Sequence, residues 1–255
     1  MFDIPDIRRT YVIYTILVTL LTATTFGSLA SHLFGTDDHE WLKEVPVAFE
    51  NPSAYFSPNR QNPIRPPVDF LFALGYLAWG DNPAAFHILQ VGLHLLISLL
   101  LVYTFRCFKI DLELSLLASL FFLMNVAHFR AVHWIVILNH LLATLLGLGA
   151  LIFYTRYLET EALVWQRRAI LVFVLSIFSH PSIVSIGLFC FYLTWRRHGT
   201  LRKTLSTVWP ILLAALVCAI LAFAASSQAP QGKGIFTAPN LGWILTYLAW
   251  YIGRL

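Results

Sequence analysis

Seven long stretches of this 255-residue chain contain no Asp, Glu, Lys or Arg, and this absence of charge constrains the fold more than any motif does. The stretches are residues 10–36, 82–105, 114–129, 131–155, 169–195, 204–232 and 234–253. Most are long enough to cross a bilayer, which takes about 20 apolar residues per helix. Only 12% of the residues are charged, against about 25% in soluble domains. The sequence therefore predicts an all-α, polytopic transmembrane helical bundle.

The organisation along the chain follows from these stretches. We expect a single transmembrane domain over residues 1–255, incomplete at its C-terminus because the apolar run 241–252 stops abruptly before Leu255. Residues 31–69 form the one large polar interruption and are the expected first extracytoplasmic loop. In this loop, residues 40–49 read as a short amphipathic interfacial helix and 59–67 as extended chain. Residues 70–79, which follow the loop, read as an apolar helix.

Short basic clusters indicate the orientation, since Lys and Arg collect on the cytoplasmic side of membrane proteins. The clusters are Arg8 with Arg9, Arg106 with Lys109, residues 156–168, residues 196–203, and Arg254. An inside N-terminus then predicts spans over residues 11–30, 84–105, 112–126, 134–155 and 208–225, with a short outer loop at 128–133. We therefore expect a multi-pass protein of the cell (inner) membrane whose N-terminus is cytoplasmic.

Residues 169–195 cannot cross the membrane as one helix without moving the basic cluster at 196–203 to the outside. The stretch contains Pro181 in the run Ser179-His180-Pro181-Ser182, and proline interrupts a helix. We expect a hairpin of two helices, each too short to span at about 1.5 Å per residue. Such a turn at membrane depth must be surrounded by protein rather than lipid.

Paired carboxylates, Asp37 and Asp38, follow the first predicted span. A carboxylate beside an apolar boundary can serve as a general base toward a hydroxyl or an amine. The alternative is structural, because Asp before a helix commonly caps it by accepting backbone N–H bonds. The sequence leaves both roles open.

Histidines and one arginine mark the other candidate positions. His87 and His94 are seven residues apart on one helix face, where a polar contact between packed helices is the favoured reading over a haem or metal site. Arg130 lies on the predicted outer side, against the positive-inside rule, which indicates an anion partner such as a phosphate, with snorkelling to lipid headgroups as the alternative. No metal-ligand pattern is identified, and the cofactor stays unknown, with a divalent metal left open. The scattered basic residues do not indicate a nucleic-acid partner.

The order of several short motifs resembles a known family. The motifs are Asp37-Asp38-His39-Glu40-Trp41-Leu42, Arg65-Pro66-Pro67, the apolar run 70–80, Asn82-Pro83, Phe86-His87, His94, Val132-His133-Trp134-Ile135 and the run 140–144. Together they resemble the amino-terminal half of GT-C-fold membrane glycosyltransferases, especially the protein O-mannosyltransferase-like and tetratricopeptide-bearing transmembrane branches. The resemblance covers residues 10 to 200.

This resemblance implies an enzyme that transfers a sugar from a polyprenyl-phosphate carrier to an acceptor protein or glycan on the extracytoplasmic side. The acidic residue that activates the acceptor would be Asp38 or Asp37, with Asp38 favoured. Arg130 and His133 would receive the carrier phosphate, and Arg65, Arg60 and His87 complete the expected substrate-binding set. Membrane lipid and a membrane-protein complex are further expected partners.

The same resemblance leaves an alternative from another class. Relatives often carry His-Pro and an acidic residue where this chain has Asn125-Val126 and Arg130, and Lys-Glu where it has His180-Pro181. These departures fit a non-catalytic GT-C-like subunit that serves as a scaffold in a larger complex. A transporter is disfavoured because the central spans carry no Asp or Glu that could relay ions.

Overall fold

The computed structural model describes residues 4–35, 38–39, 41–42, 44, 50–51 and 65–227, and gives the backbone alone for residues 4–7, 129, 219 and 221–227. Four predicted features lie outside the described residues: Asp37, Arg60, residues 59–64 of the predicted extended segment 59–67, and the apolar run 241–252. Of the predicted helix 40–49, the residues described are Trp41, Leu42 and Glu44, and all three are helical.

The described residues are helical almost throughout, with no strand among them, so the predicted all-α class is confirmed. The α-helices are α1 (Ile4–Phe26), α2 (Pro66–Trp79), α3 (Pro83–Cys107), α4 (Leu112–Met124), α5 (Phe129–His133), α6 (Leu138–Thr160), α7 (Leu163–Ser179), α8 (Ser185–His198) and α9 (Leu201–Ser227). Short 3-10 helices lie at Gly27–Ser31, Val126–His128, Ile135–Ile137 and Pro181–Val184.

Four of the described segments are long and apolar enough to cross a membrane. They are Arg8–Ser31, Pro83–Cys107, Ile135–Thr160 and Leu201–Cys218. Helix α4 is also apolar but has only 13 residues. The chain is therefore a polytopic helical membrane protein, as the uncharged stretches predict.

Helices α6 and α7 form the most extensive antiparallel pair, and α3, α8 and α9 pack around them. Their shared core is aromatic and aliphatic, with Tyr154, Phe173, Ile97 and Ile211 almost completely buried. Gly147 of α6 makes room for this packing, because an added Cβ would lie 2.5 Å from Ile186 Cδ1 of α8. A second apolar cluster joins Trp41 and Leu42 of the loop to α2, to the start of α3 and to Ile135 and Leu138.

The bundle has two distinct ends. At the basic end α3, α6 and α8 end and α4, α7 and α9 begin; Arg156 donates to Tyr103 Oη at 3.0 Å there, and Arg197 lies 3.4 Å from Glu161. At the opposite end, which is called the outer end after the predicted orientation, α1, α4 and α7 end and α3 and α6 begin. The basic clusters at 106–109, 156–168 and 196–203 thus share one end, as the predicted topology requires.

The predicted break into two helices is confirmed, but the arms are longer than predicted and the turn is not buried, since Pro181, Ser182 and Val184 are exposed. Helix α7 ends at Ser179 and α8 begins at Ser185, with Pro181 in the intervening 3-10 turn. Helix α7 has 17 residues because it begins at Leu163 and includes Arg167 and Arg168, which the prediction placed in an inner loop. The turn therefore reaches the level of His140 at the outer end, where the His140 and His180 ring centroids are 3.8 Å apart.

Other predicted boundaries are wrong in detail. Helix α2 begins at Pro66 rather than at residue 70, because proline lacks the N–H that the first helical turn leaves unpaired and its φ suits that position. The predicted span 134–155 is helix α6, Leu138–Thr160, preceded by a 3-10 turn. The short outer loop 128–133 is mainly the helical turn α5.

Candidate functional site

One face of α3 carries a buried polar stripe that runs down from the outer end. The stripe consists of His87, Gln90, His94 and Ser98, each at most 2% exposed. These positions follow one another at three or four residues, the spacing that places side chains on the same helix face. The stripe therefore lies where α3 faces the rest of the protein.

Gln90 fastens the outer turn to α3. Its Nε2 donates to the carbonyl oxygens of Ala131 at 2.6 Å and Trp134 at 2.7 Å. These carbonyls lie where α5 gives way to the Ile135–Ile137 turn, so the two bonds hold that turn against the helix. Sequence reasoning missed Gln90; the available signal was its position between two histidines on one face of an uncharged span.

Asp38 joins the two outer segments of the chain. Its side chain is 2% exposed, Oδ2 accepts a hydrogen bond from Gly35 N at 2.8 Å, and Oδ1 accepts one from Val136 N at 2.8 Å. Gly35 and Asp38 therefore meet the residues around 128–136 at the same end of the bundle, as predicted. Val136 lies in the 3-10 helix Ile135–Ile137, so Asp38 connects Gly35 of the loop to the start of that short helix.

Three histidines lie together beside Asp38. The ring centroids of His32 and His87 are 6.0 Å apart, and those of His32 and His133 are 6.4 Å apart. Both ring nitrogens of His87 are buried without a hydrogen-bond partner among the described residues. The Asp38 carboxylate acts electrostatically on the His87 ring. The structure thus brings together Asp38, His87 and His133 from the predicted site set.

His94 makes the polar contact between helices that its sequence position indicates. Its Nε2 lies 3.1 Å from the carbonyl oxygen of Leu123 in α4. Its ring packs edge-on against Phe26 at 5.8 Å and lies 5.0 Å from Phe122. His94 therefore fastens α3 to α4 and to the end of α1.

Arg130 lies on the rim of this region. It is exposed, and its guanidinium carbon is 5.9 Å from the centre of the Trp134 ring. A guanidinium is a cation with five N–H donors, suited to phosphate oxygens. The anion partner of Arg130 stays a prediction.

Arg65 belongs to a separate group, with His140 and His180. The Arg65 backbone N–H donates to Asp69 Oδ2 at 3.3 Å. Burial lowers the pKa of the Arg65 side chain and the Asp69 charge opposes that shift. Burial, with His140 and Arg65 close by, lowers the pKa of His180 to about 4. At neutral pH this group therefore presents a cation beside the neutral ring of His180.

The described residues contain no group of three or more His, Cys, Asp or Glu side chains that could hold a metal ion. The described site residues supply a carboxylate, several imidazoles and two guanidinium groups. Such groups can accept a proton, donate hydrogen bonds and neutralise a phosphate. Asp37 and Arg60, the remaining predicted site residues, lie outside the described residues.

The geometry of Asp38 changes one expectation about its substitution. An amide is nearly isosteric with a carboxylate, which by itself predicts that Asp38→Asn leaves the fold intact. Both carboxylate oxygens, however, accept backbone N–H bonds, and an asparagine has only one acceptor oxygen. We therefore expect this variant to lose stability, by about 1–3 kcal/mol for one buried amide left without an acceptor.

Comparison with known proteins gives a partial match. The chain is 28% identical over 132 residues to protein O-mannosyl-transferase TMTC3 of Homo sapiens, which covers 50% of this chain and 14% of that protein. It is 27% identical over 148 residues to the TMTC3 of Mus musculus, covering 56% of this chain and 16% of that protein. The chain thus spans about a seventh of these relatives' length. No family model and no solved structure matches it.

Proposed function

We propose that this chain is a membrane glycosyltransferase that moves a sugar from a polyprenyl-phosphate carrier to a protein or glycan hydroxyl on the extracytoplasmic side of the cell (inner) membrane. The similarity to a protein O-mannosyl-transferase over half of the chain carries the proposal. The convergence of Asp38, His87 and His133 at one end of a membrane bundle supports it.

In the proposed reaction, the acceptor hydroxyl oxygen attacks the sugar carbon that bears the phosphate. A carboxylate, Asp37 or Asp38, takes the hydroxyl proton as the new bond forms. The bond between sugar and phosphate oxygen breaks, and the phosphate leaves with the electron pair. Arg130 and Arg65 are the proposed cations that stabilise that charge.

The Asp38 carboxylate accepts backbone N–H bonds from Gly35 and Val136, one on each oxygen. The two bonds fix the orientation of the carboxylate, as a positioned base requires. Asp38 therefore stays the favoured base of the pair.

Transfer of radiolabelled mannose from mannosyl polyprenyl phosphate to a protein acceptor tests the proposal, with the full chain in detergent. Asp37→Asn and Asp38→Asn should lower the rate about 10²–10⁴-fold, the usual loss for a positioned base. Asp81→Asn, an exposed outer-end carboxylate in the turn before α3, is the matched control and should keep the parental rate. Parental rates in both test variants would remove the carboxylate from the mechanism.

Arg130→Ala addresses the donor side of the proposal. Loss of one charged hydrogen bond to phosphate should weaken carrier binding by about 1.5–3 kcal/mol. Titration of polyprenyl phosphate by intrinsic fluorescence measures this directly. Unchanged affinity would mean that Arg130 contacts only lipid headgroups or Trp134.

A non-catalytic scaffold is the second candidate, and the bonding of Asp38 favours it. A buried carboxylate that ties Gly35 to Val136 has a sufficient structural role without any chemistry. In that case the parent chain transfers no sugar with any polyprenyl-phosphate donor, while Asp38→Asn still lowers the thermal midpoint. If the parent chain transfers sugar, and Asp37→Asn lowers that rate without changing the thermal midpoint, the scaffold function is excluded.

A further inference from the structure

A cavity of about 310 Å³ opens at the basic end, away from the outer-end residues discussed above. It lies between α3, α6 and α7. Its walls are the side chains of Tyr103, Ile152, Phe153, Arg156, Thr160 and Trp165. The cavity therefore combines one cation with an aromatic and aliphatic lining.

Arg156 lines this cavity and uses only part of its hydrogen-bonding capacity. Its Nη2 donates to Tyr103 Oη at 3.0 Å, and its Nη1 is 3.7 Å from Glu159 Oε2. The second distance exceeds the roughly 2.7–2.9 Å of a charged hydrogen bond, and both side chains of this pair are 47% exposed. Tyr103 thus orients the guanidinium, and the rest of its five N–H donors make no other hydrogen bond among the described residues.

Trp165 forms an apolar wall of the cavity, and a second cation, Arg168, lies over its ring beside the residues that line the cavity. Its ring stacks on Phe153 with centroids 5.8 Å apart, and the Arg168 guanidinium carbon is 4.8 Å from the ring centre. Leu163 and Val164, at the start of the same helix, are exposed. Two guanidinium groups therefore flank a surface that continues into apolar side chains.

This combination fits the level of lipid headgroups. Trp and Tyr side chains concentrate at the membrane–water boundary, and basic residues just beyond the hydrocarbon attract anionic lipids. A free phosphate would use the guanidinium groups but not the wall of Ile152, Phe153 and Trp165. We propose that this cavity binds an anionic phospholipid, with the headgroup phosphate on Arg156 and Arg168 and the upper acyl chain against Trp165.

Native mass spectrometry of the full chain in mild detergent tests this site with equal amounts of phosphatidylglycerol and phosphatidylcholine. The parent chain should retain phosphatidylglycerol in preference. The double variant Arg156→Ala/Arg168→Ala should bind it about 30-fold more weakly, from about 1 kcal/mol for each basic side chain near the membrane surface. The control Arg196→Ala/Arg202→Ala makes the same charge change at the same end with exposed residues outside the cavity, and should keep the parental affinity.

A second variant makes the test independent of charge and of any folding failure of the double variant. Thr160→Trp fills the mouth of the cavity at an exposed position and should also abolish the preference. Equal retention of phosphatidylcholine, or equal losses in test and control variants, would overturn the proposal. Competition by soluble glycerol phosphate at the same concentration as the lipid would overturn it too, in favour of a free-phosphate site.

Discussion

At the outer end Asp38, Gln90 and His94 are almost completely buried, and each bonds to backbone groups of another segment. At the basic end Arg156 and Arg197 are largely exposed and reach other side chains, Tyr103 and Glu161. A buried polar group that loses its partner costs far more than an exposed ion pair does. The outer-end groups therefore hold the fold in place, whereas the exposed ion pairs of the basic end contribute little to its stability.

Gln90→Leu should show the largest effect on stability. It leaves the carbonyl groups of Ala131 and Trp134 without their donor, at about 2–4 kcal/mol in total. That corresponds to a thermal midpoint about 4–16 °C lower for a chain of this size. Thermal unfolding in detergent measures the change.

The matched control for this substitution is Gln166→Leu. Gln166 is half-buried near the basic end and donates one bond, to Thr207 O at 3.2 Å. We expect its loss to cost less than about 1 kcal/mol. Equal losses in the two variants would break the distinction between the ends.

Tyr154→Phe sharpens the comparison, because a buried polar pair also lies toward the basic end. Tyr154 Oη and Thr194 Oγ1 are 2.6 Å apart, and Thr194 also donates to Cys190 O at 2.7 Å. Thr194 keeps that second partner, so the loss should be about 0.5–1.5 kcal/mol. Tyr192→Phe, at an exposed position of α8, should leave the thermal midpoint unchanged; an equal fall there would assign the effect to something other than burial.

His180→Asn should change the acid sensitivity of the protein. The pKa of His180 is lowered to about 4, below the ordinary value of about 6.5. Between these two pH values the unfolded chain binds a proton at this residue and the folded chain does not. The stability from the neutral ring is complete above about pH 6.5 and is lost as the pH falls toward 4. His180 Nδ1 accepts from Ser182 N, and asparagine can take over that helix-capping bond.

The thermal midpoint of the His180→Asn variant should therefore fall less than that of the parent between pH 7 and pH 4.5. The effect is reduced by solvent, since His180 is only half-buried. His198→Asn at the basic end is the control and should leave the parental pH profile unchanged. Parallel profiles for parent and His180→Asn would contradict the assignment.

Arg197→Ala should have the smallest effect. Arg197 and Glu161 are 3.4 Å apart, but the glutamate side chain is 78% exposed. Such pairs contribute about 0–1 kcal/mol, so the thermal midpoint should move by no more than a few degrees. A loss above about 2 kcal/mol would show that the basic end is held together by more than its apolar core.

The sequence predicted the helical bundle and the hairpin break because charge and proline act locally. Uncharged stretches predict the spans, and Pro181 interrupts its helix wherever the helix lies. The start of α7 differs from the prediction because a count of charges assigns Arg167 and Arg168 to a loop, although the first turns of a helix can carry arginines where they lie outside the hydrocarbon. Pro66 was taken as extended chain for a similar reason, since proline suits both an extended segment and a first helical turn.

The candidate site was predictable only in part, because its contacts join distant residues. Asp38 was identified by residue type, but its bond to Val136 N spans 98 residues and no local pattern contains it. Gln90 bonds to carbonyls 41 and 44 residues away. His180 reaches His140 only because α7 is long enough to bring the turn to the outer end. Each of these partners is set by how the helices pack.

The hairpin of α7 and α8 has a consequence for how the protein is made. The hairpin begins and ends at the basic end, with Arg167 and Arg168 on its first arm and Arg196 and Arg197 on its second. Moving one such residue into the middle of the bilayer costs about 2.5–3.5 kcal/mol. If the two arms enter the bilayer together as they leave the ribosome, only the uncharged turn around Pro181 advances through the hydrocarbon. None of the four arginines then has to be translocated.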